Sequence, residues 1–386
     1  MVEARIAASF ASLPADWCAA ARAQSLYLDA PYLRYASRDH GRVFRAEVRA
    51  EGVLRAGLTG WLAHGSGHPY LEPRKLLQLP ASAEPDLVLG CPGAFTGDML
   101  VEGAADADSA AALASALTAH ARELGAGSVL ALYASDVGLT FWSQLGATHA
   151  PALINFDTVI DVPPSFDEWF RRLPRKRRSS IGRELRAFEQ AGFRSGVALA
   201  SEVELPALLL ELSAILVASE ARFGNALEEE GVVGTLERQR ELLGDAFAVF
   251  YVRDPAGRLV AGATAFLDDV GVHMRWGGVD RDNAGRNLEY FHVAYYEPIR
   301  FAAASGRSRV RLGMESFEAK LLRGAHLEPR WALPLTLVAG WEERAERASS
   351  ASMNRLAGLL ARFPECIAAD VHARLQPGAA FGRMRA

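Results

Sequence analysis

One order of elements occurs twice in this chain of 386 residues, and a chain that repeats its element order at about half its length folds as two similar domains. In the first half, VFRAEVRAEGVLRAGLTGWLA (43–63) reads as two β runs around a turn at Glu51-Gly52. An alanine-rich helical pattern follows at 108–124, behind an Asp cap. SVLALY (128–133), a short helical pattern at 137–146 and a strand-like run at 152–162 complete the half. The second half opens with helical patterns at 165–192, which Pro174 bends or divides, at 203–223 and at 228–243. Two β runs around an Asp254-Pro255-Ala256-Gly257 turn, a further run at 270–280, a helix at 286–305, SRVRLGM, the short helix FEAKLLRGA and WALPLTLVA then restore the order strand, strand, helix, strand, helix, strand. The expected fold is α/β (α+β), with two tandem domains of this type and a cleft between them. Pro163-Pro164 marks the boundary, so the expected domains are 1–162 and 163–340, with 341–386 forming a C-terminal helix and tail.

Composition removes several classes. Half the residues are hydrophobic and 23% are charged, as in a soluble globular protein, and no apolar run approaches the roughly 18–20 residues of a membrane helix. MVEARIAASF lacks the basic-then-apolar order of an export signal, and Cys18, Cys91 and Cys366 make neither a disulfide framework nor a metal set. A cytoplasmic protein without membrane partner or metal is expected. The net charge of −4 excludes a globally basic coat for nucleic acid, though it conceals one local cluster.

That cluster is Arg171, Arg172, Arg175, Lys176, Arg177, Arg178, Arg183 and Arg186, eight cations against Glu184 alone. It suits the phosphates of a nucleotide sugar or an RNA acceptor stem; the plain alternative is a solvated helix face paired with acids such as Glu228, Glu229 and Glu230. A second group comprises Trp276, Tyr290, His292, Tyr295 and Tyr296, followed by Glu315, Glu318, Lys320 and Arg323. His292, Tyr295, Tyr296 and Ile299 share one helical face, so His292 reads as a core histidine and at least one tyrosine as core. Charged residues at the following strand-to-helix turn are harder to explain as packing. The loop from Asp282 to Asn287 is a weak backbone anion site or a plain turn, and the glycine pattern of an acyl-CoA pyrophosphate loop is absent. His64 and His68 in a glycine-containing loop make a poor metal pair, and no nucleophile elbow, P-loop or Cys-His dyad appears.

The run LPRKRRSSIGRELRAFEQAGF (173–193) resembles the Lys/Arg-rich helix of the Fem peptidyltransferase branch of the GNAT acyltransferase superfamily. LEYFHVAYYEPIRFAAASGRSRVRLGMESFEAKLLRGAHLEP (288–329) is similar to the C-terminal signature of Fem-like peptidoglycan biosynthesis/recognition proteins, in Tyr295, Tyr296, Gly306, Gly313, Glu318, Lys320, Arg323 and Gly324. HPYLEPRKLL (68–77) is similar to a short Pro-Arg-Leu-Leu segment of the same group. Ala319 stands where the pattern has His, and Gly182 where it has Arg or Lys.

The resemblance implies tandem GNAT domains with the active cleft in the second. It also implies transfer of an aminoacyl group from aminoacyl-tRNA to an amine of a small molecule or a peptide such as a peptidoglycan precursor, with no cofactor and no CoA. Glu315 or Glu318 would accept the amine proton, Lys320 would hold the carbonyl oxygen or a terminal phosphate, and at most one of Glu318 and Lys320 would face the reaction. Arg175, Lys176, Arg177, Arg178, Arg183, Trp276, Tyr290, Tyr295, Tyr296 and Arg323 would bind substrate. An acyl-CoA-dependent N-acyltransferase and a non-catalytic tandem GNAT binding module are the alternatives.

Overall fold

The computed structural model describes residues 2–8, 10, 12–39, 42–65, 68–101, 107–136, 138–147, 149–282 and 288–368. Its strands are β1 (Val2–Ala7), β2 (Val43–Ala50), β3 (Val53–Ala63), β4 (Asp86–Leu89), β5 (Leu100–Val101), β6 (Ser128–Ser135), β7 (Ala152–Asp161), β8 (Arg194–Leu199), β9 (Phe247–Arg253), β10 (Leu259–Leu267), β11 (Gly271–Val279), β12 (Arg309–Gly313) and β13 (His326–Pro334). Two compact units divide the chain, one of Met1–Asp157 with Leu327–Ala386, the other of Thr158–His326. Among the described residues no helix is long and apolar enough to cross a membrane.

Both units follow one plan. In the first, β1, β2, β3 and β4 pair antiparallel in that order, and β4 pairs parallel with β6 after the helix Ala107–Glu123. In the second, β8, β9, β10 and β11 pair antiparallel, and β11 pairs parallel with β12 after the helical segment 288–304. The place beside each second parallel strand is filled from the other half of the sequence. β13 lies antiparallel to β6 from Arg330 to Pro334, and the end of β7 lies antiparallel to β12 from Thr158 to Asp161.

This exchange moves the division away from 163–340. β13 follows its partner β6 into the first unit, and so does the helix Trp341–Arg362, whose Trp341 Nε1 donates to the Ala150 carbonyl at 2.8 Å. Ser352 Oγ donates to the carbonyls of Leu153 and Ile154 at 3.1 and 3.2 Å. Residues 341–362 are thus an integral helix rather than an appendage. Residues 369–386 lie outside the described residues.

Two prolines shape the second unit. Pro174 separates the helices Phe166–Arg172 and Arg175–Gln190, since it lacks an N–H and its ring excludes a preceding helical turn. Ser165 caps the first helix by accepting from the Glu168 N–H at 3.2 Å. The carbonyls of Arg171 and Leu173, at its far end, accept from Arg178 Nη1 at 3.1 and 2.6 Å. Pro298 lies just beyond a single π-helical turn, His292–Tyr296, between the α segments Leu288–Phe291 and Glu297–Ala304. The wider turn relieves the clash a proline ring makes with the carbonyl four residues back. The core of the unit gathers Ile160, Trp169, Phe250, Val260, Tyr296 and Ile299.

Candidate active site

β12 ends in a turn that costs backbone energy. Gly313, Glu315 and Ser316 have φ of 72°, 62° and 50°, in the left-handed region that non-glycine residues enter only at a cost. Lys320, on the short helix Phe317–Leu321, holds this turn: its buried ammonium donates to the carbonyls of Gly313 and Met314, both at 2.8 Å. Thr158 Oγ1 also donates to the Gly313 carbonyl. Glu318, two residues earlier, is exposed, and Glu315 is partly exposed on the strained turn itself. The expectation that Glu318 and Lys320 point apart agrees with these positions.

After that helix the chain delivers Arg323, 4% exposed, into an aromatic nest. Its guanidinium carbon lies 3.8 Å from the Phe291 ring centre and 4.6 Å from that of Tyr295. Nη1 donates to the Ala319 carbonyl at 2.9 Å, and Nη2 to Glu184 Oε2 at 3.0 Å. The same carboxylate oxygen accepts from the Tyr296 hydroxyl. Burial, more than any neighbouring charge, raises the Tyr295 and Tyr296 phenols above their usual range and keeps both protonated. The turn Leu322–Gly324 closes tightly: Gly324 has φ of 80°, and a Cβ there would sit 2.9 Å from Leu173 Cδ2.

Glu184 was legible only as the lone acid of a basic stretch. It lies between Ile181, Leu185 and Phe188 at helical spacing, and a carboxylate on an apolar stripe is the signal that it turns inward. His292 shares that interior. It is 2% exposed, stacked on Phe188 with ring centres 3.5 Å apart, and its Nδ1 lies 3.7 Å from Glu297 Oε1. Its core placement matches expectation, but both its ring nitrogens are buried without a hydrogen-bond partner among the described residues. Glu297 Oε1 also accepts from Ser195 Oγ at 2.9 Å and from Arg300 Nη1 at 2.5 Å.

With Glu184 turned inward, the opposite face of the helix Arg175–Gln190 presents Arg175, Lys176, Arg183 and Arg186, all exposed. None has an ion-pair partner among the described residues. Glu229 instead accepts from Ser213 Oγ at 3.2 Å. Arg178 is a capping residue, not part of that face, and Arg177 is half-buried on the inward side. Trp276 is drawn elsewhere, its Nε1 donating to Glu220 Oε1 at 2.9 Å, while Tyr290 stays 36% exposed beside Phe291.

One further feature concerns the sheet. β11 and β12 pair for three residues only, Gly271–His273 against Arg309–Arg311, whereas β11 continues to Val279. Beyond His273 that side of β11 has no strand partner among the described residues. Asn283 to Asn287, the weak anion loop of the sequence, lie outside the described residues.

Four antiparallel strands, a helix and a parallel strand that parts from its neighbour make up the second unit, and its residues 175–321 match the family model for an acetyltransferase (GNAT) domain. The chain therefore carries a GNAT domain and resembles the Fem-like branch of that superfamily in fold. A crystal structure of FemX superposes with a TM-score of 0.59 at 12% identity, covering 84% of this chain and 97% of that one. A conserved protein of unknown function from Bacteroides thetaiotaomicron VPI-5482 superposes at 0.51 with 8% identity, covering 83% and 92%. The C-terminal domain of a putative lysylphosphatidylglycerol synthetase from Agrobacterium fabrum gives 0.49 with 13% identity, covering 78% and 86%. No curated protein matches the chain in sequence.

Proposed function

We propose that this GNAT-type acyltransferase moves an aminoacyl group from aminoacyl-tRNA to the amine of a small molecule or of a peptide such as a peptidoglycan precursor. The observation that carries the reading is the exposed face of Arg175, Lys176, Arg183 and Arg186 without counter-ions of their own. Cations left unpaired by the fold suit phosphates of an acceptor stem, which are held chiefly by Arg and Lys. The fold shared with FemX supports the same class.

The transfer needs an ester carbonyl, an amine that has lost its proton, and donors for the tetrahedral oxyanion. In this reading Glu315 or Glu318 accepts the amine proton, since both border the strained turn after β12. Lys320 acts by holding that turn in place, and the pair Arg323–Glu184 fixes the aromatic wall of Phe291 and Tyr295 beside it.

The unpaired length of β11 favours a second reading, in which an acyl-CoA donor lays its amide-bearing arm along the strand's open backbone groups. Titration with an aminoacylated minihelix and with CoA separates the two. Saturable binding and turnover of the minihelix, with no saturable CoA binding, is the expected result; acyl transfer from acyl-CoA alone would replace the proposal by the second reading.

A further inference from the structure

A cavity of about 700 Å³ opens in the first unit, and none of its lining residues falls within the matched segment 175–321. Its size is that of a small-molecule site. One wall is the helix Trp341–Arg362, on which Arg344, Arg347, Ala348, Ala351, Ser352 and Arg355 recur at three- and four-residue spacing and form a single stripe. The alanines leave room between the cations. Tyr70 and Lys75 come from the segment 68–77 noted in the sequence, and Ile154 and Asn155 come from β7.

The charge of the cavity is one-sided. Lys75, Arg344, Arg347 and Arg355 line it, and among the described residues no Asp or Glu does. The Arg344 guanidinium has no ion-pair partner among the described residues. Among the described residues Arg347 meets Glu343 alone, at 3.6 Å between exposed side chains, a contact of small worth. Arg355 Nη2 is steadied by Ser352 Oγ at 3.3 Å. Ser352 and Asn155, each 3% exposed, add buried polar residues to the lining, and Gln78, also in the lining, has φ of 50°, a strained conformation of the kind that gathers at binding sites. Tyr70 is 38% exposed, and its ring is held by His68 at 5.5 Å and Phe95 at 6.0 Å between ring centres.

We propose that this cavity binds a diphosphate group, free or carried on a nucleoside. Arg344 without an ion-pair partner among the described residues and Arg347 with one weak carboxylate contact give two guanidinium forks that suit two adjacent phosphates, with Lys75 and Arg355 in the same lining, while the partly exposed ring of Tyr70 offers a flat ring a stacking surface. The lining belongs wholly to the first unit and shares no residue with the turn after β12 to which the transfer reaction is assigned.

Calorimetric titration of the full-length protein with inorganic pyrophosphate and with ADP tests it. Saturable binding is expected, weakened about tenfold or more in the Arg344→Ala/Arg347→Ala variant with its melting temperature unchanged. If Tyr70→Leu weakens ADP but not pyrophosphate, a nucleoside diphosphate is the ligand; if pyrophosphate binds as tightly as ADP and neither responds, free diphosphate is. No saturable binding of either, undiminished binding in the double arginine variant, or displacement of both by a short single-stranded RNA would overturn the proposal. Minihelix binding by the double variant should be normal, so failure of this site and failure of the transfer reading are distinguishable.

Discussion

Glu184 Oε2 lies 3.0 Å from Arg323 Nη2, which ties the only acid amid the cations of 171–186 to an arginine 139 residues further along the chain. The pair turns one face of the basic helix inward and leaves its exposed cations to solvent. It also closes the short loop after Lys320 against the helix that carries Tyr295 and Tyr296.

Glu184→Gln keeps the shape but leaves the Arg323 charge buried without its carboxylate. A loss of about 2–4 kcal/mol in denaturant unfolding is expected, because breaking a largely buried pair strands the remaining ion. Combined with Arg323→Met, the loss should be smaller than the sum of the two singles. Strict additivity in that cycle would mean the two side chains do not act as a pair.

The exposed and the capping arginines separate by salt dependence. Replacing Arg175, Lys176, Arg183 and Arg186 by alanine should leave the melting temperature in place. The slope of log affinity for a minihelix against log salt should flatten by about one unit per lost phosphate contact. Arg178→Ala should do the reverse, costing about 1 kcal/mol through its two carbonyl partners with no change in slope. An unaltered slope in the quadruple variant returns that face to plain solvation.

Lys320→Met removes two charge-assisted hydrogen bonds from the turn after β12. Stability should fall by about 2–3 kcal/mol, with transfer reduced in parallel as the turn relaxes. Melting measured beside single-turnover transfer decides its role: a variant that melts normally yet transfers a hundredfold more slowly would assign Lys320 to the reacting atoms instead.

The His292 site gives stability a pH dependence of known sign. Burial holds this imidazole below its ordinary titration range and outweighs the attraction of Glu297. The unfolded chain therefore takes up the proton more readily, so the site's contribution is complete above about pH 6.5 and declines as pH falls below it. For Glu297, burial raises the carboxyl, but the nearby imidazole of His292, the charge of Arg300 and the hydrogen bond from Ser195 lower it by more. Its contribution is lost at lower pH, as the solution falls below about pH 4.3. Unfolding free energies between pH 7.5 and 5.5 should slope less in His292→Phe; identical slopes would exclude His292 as the source.

Gly182, which interrupts the basic helix, has room for a methyl group: its nearest neighbours would be Arg186 Nη1 at 3.4 Å and Phe170 Cζ at 3.7 Å. Gly182→Ala should raise stability by about 0.5–1 kcal/mol. A fall in melting temperature would show that the glycine is needed for close approach.

Local signals in the sequence determined much of the fold. Alternation around Glu51-Gly52 and Asp254–Gly257 specified the hairpins, Pro174 the break between two helices, and the repeated order of elements the duplicated plan. These depend on neighbouring residues, so a linear reading reaches them. The first 42 residues carry too weak a periodicity to specify β1 and the helices that follow it; the helix Ala15–Gln24 buries only Trp17, Ala20 and Ala21. Tertiary structure alone decided the rest. Whether β7 and β13 serve their own half or the other depends on edge pairing between strands distant in sequence, to which side-chain alternation is blind. The candidate site divides the same way. Its residue types were legible, but the direction of Lys320 toward two carbonyls, of Arg178 toward a helix end and of Glu184 toward Arg323 was not. A long charged side chain on a helix can reach several partners, and only the packed neighbours choose among them.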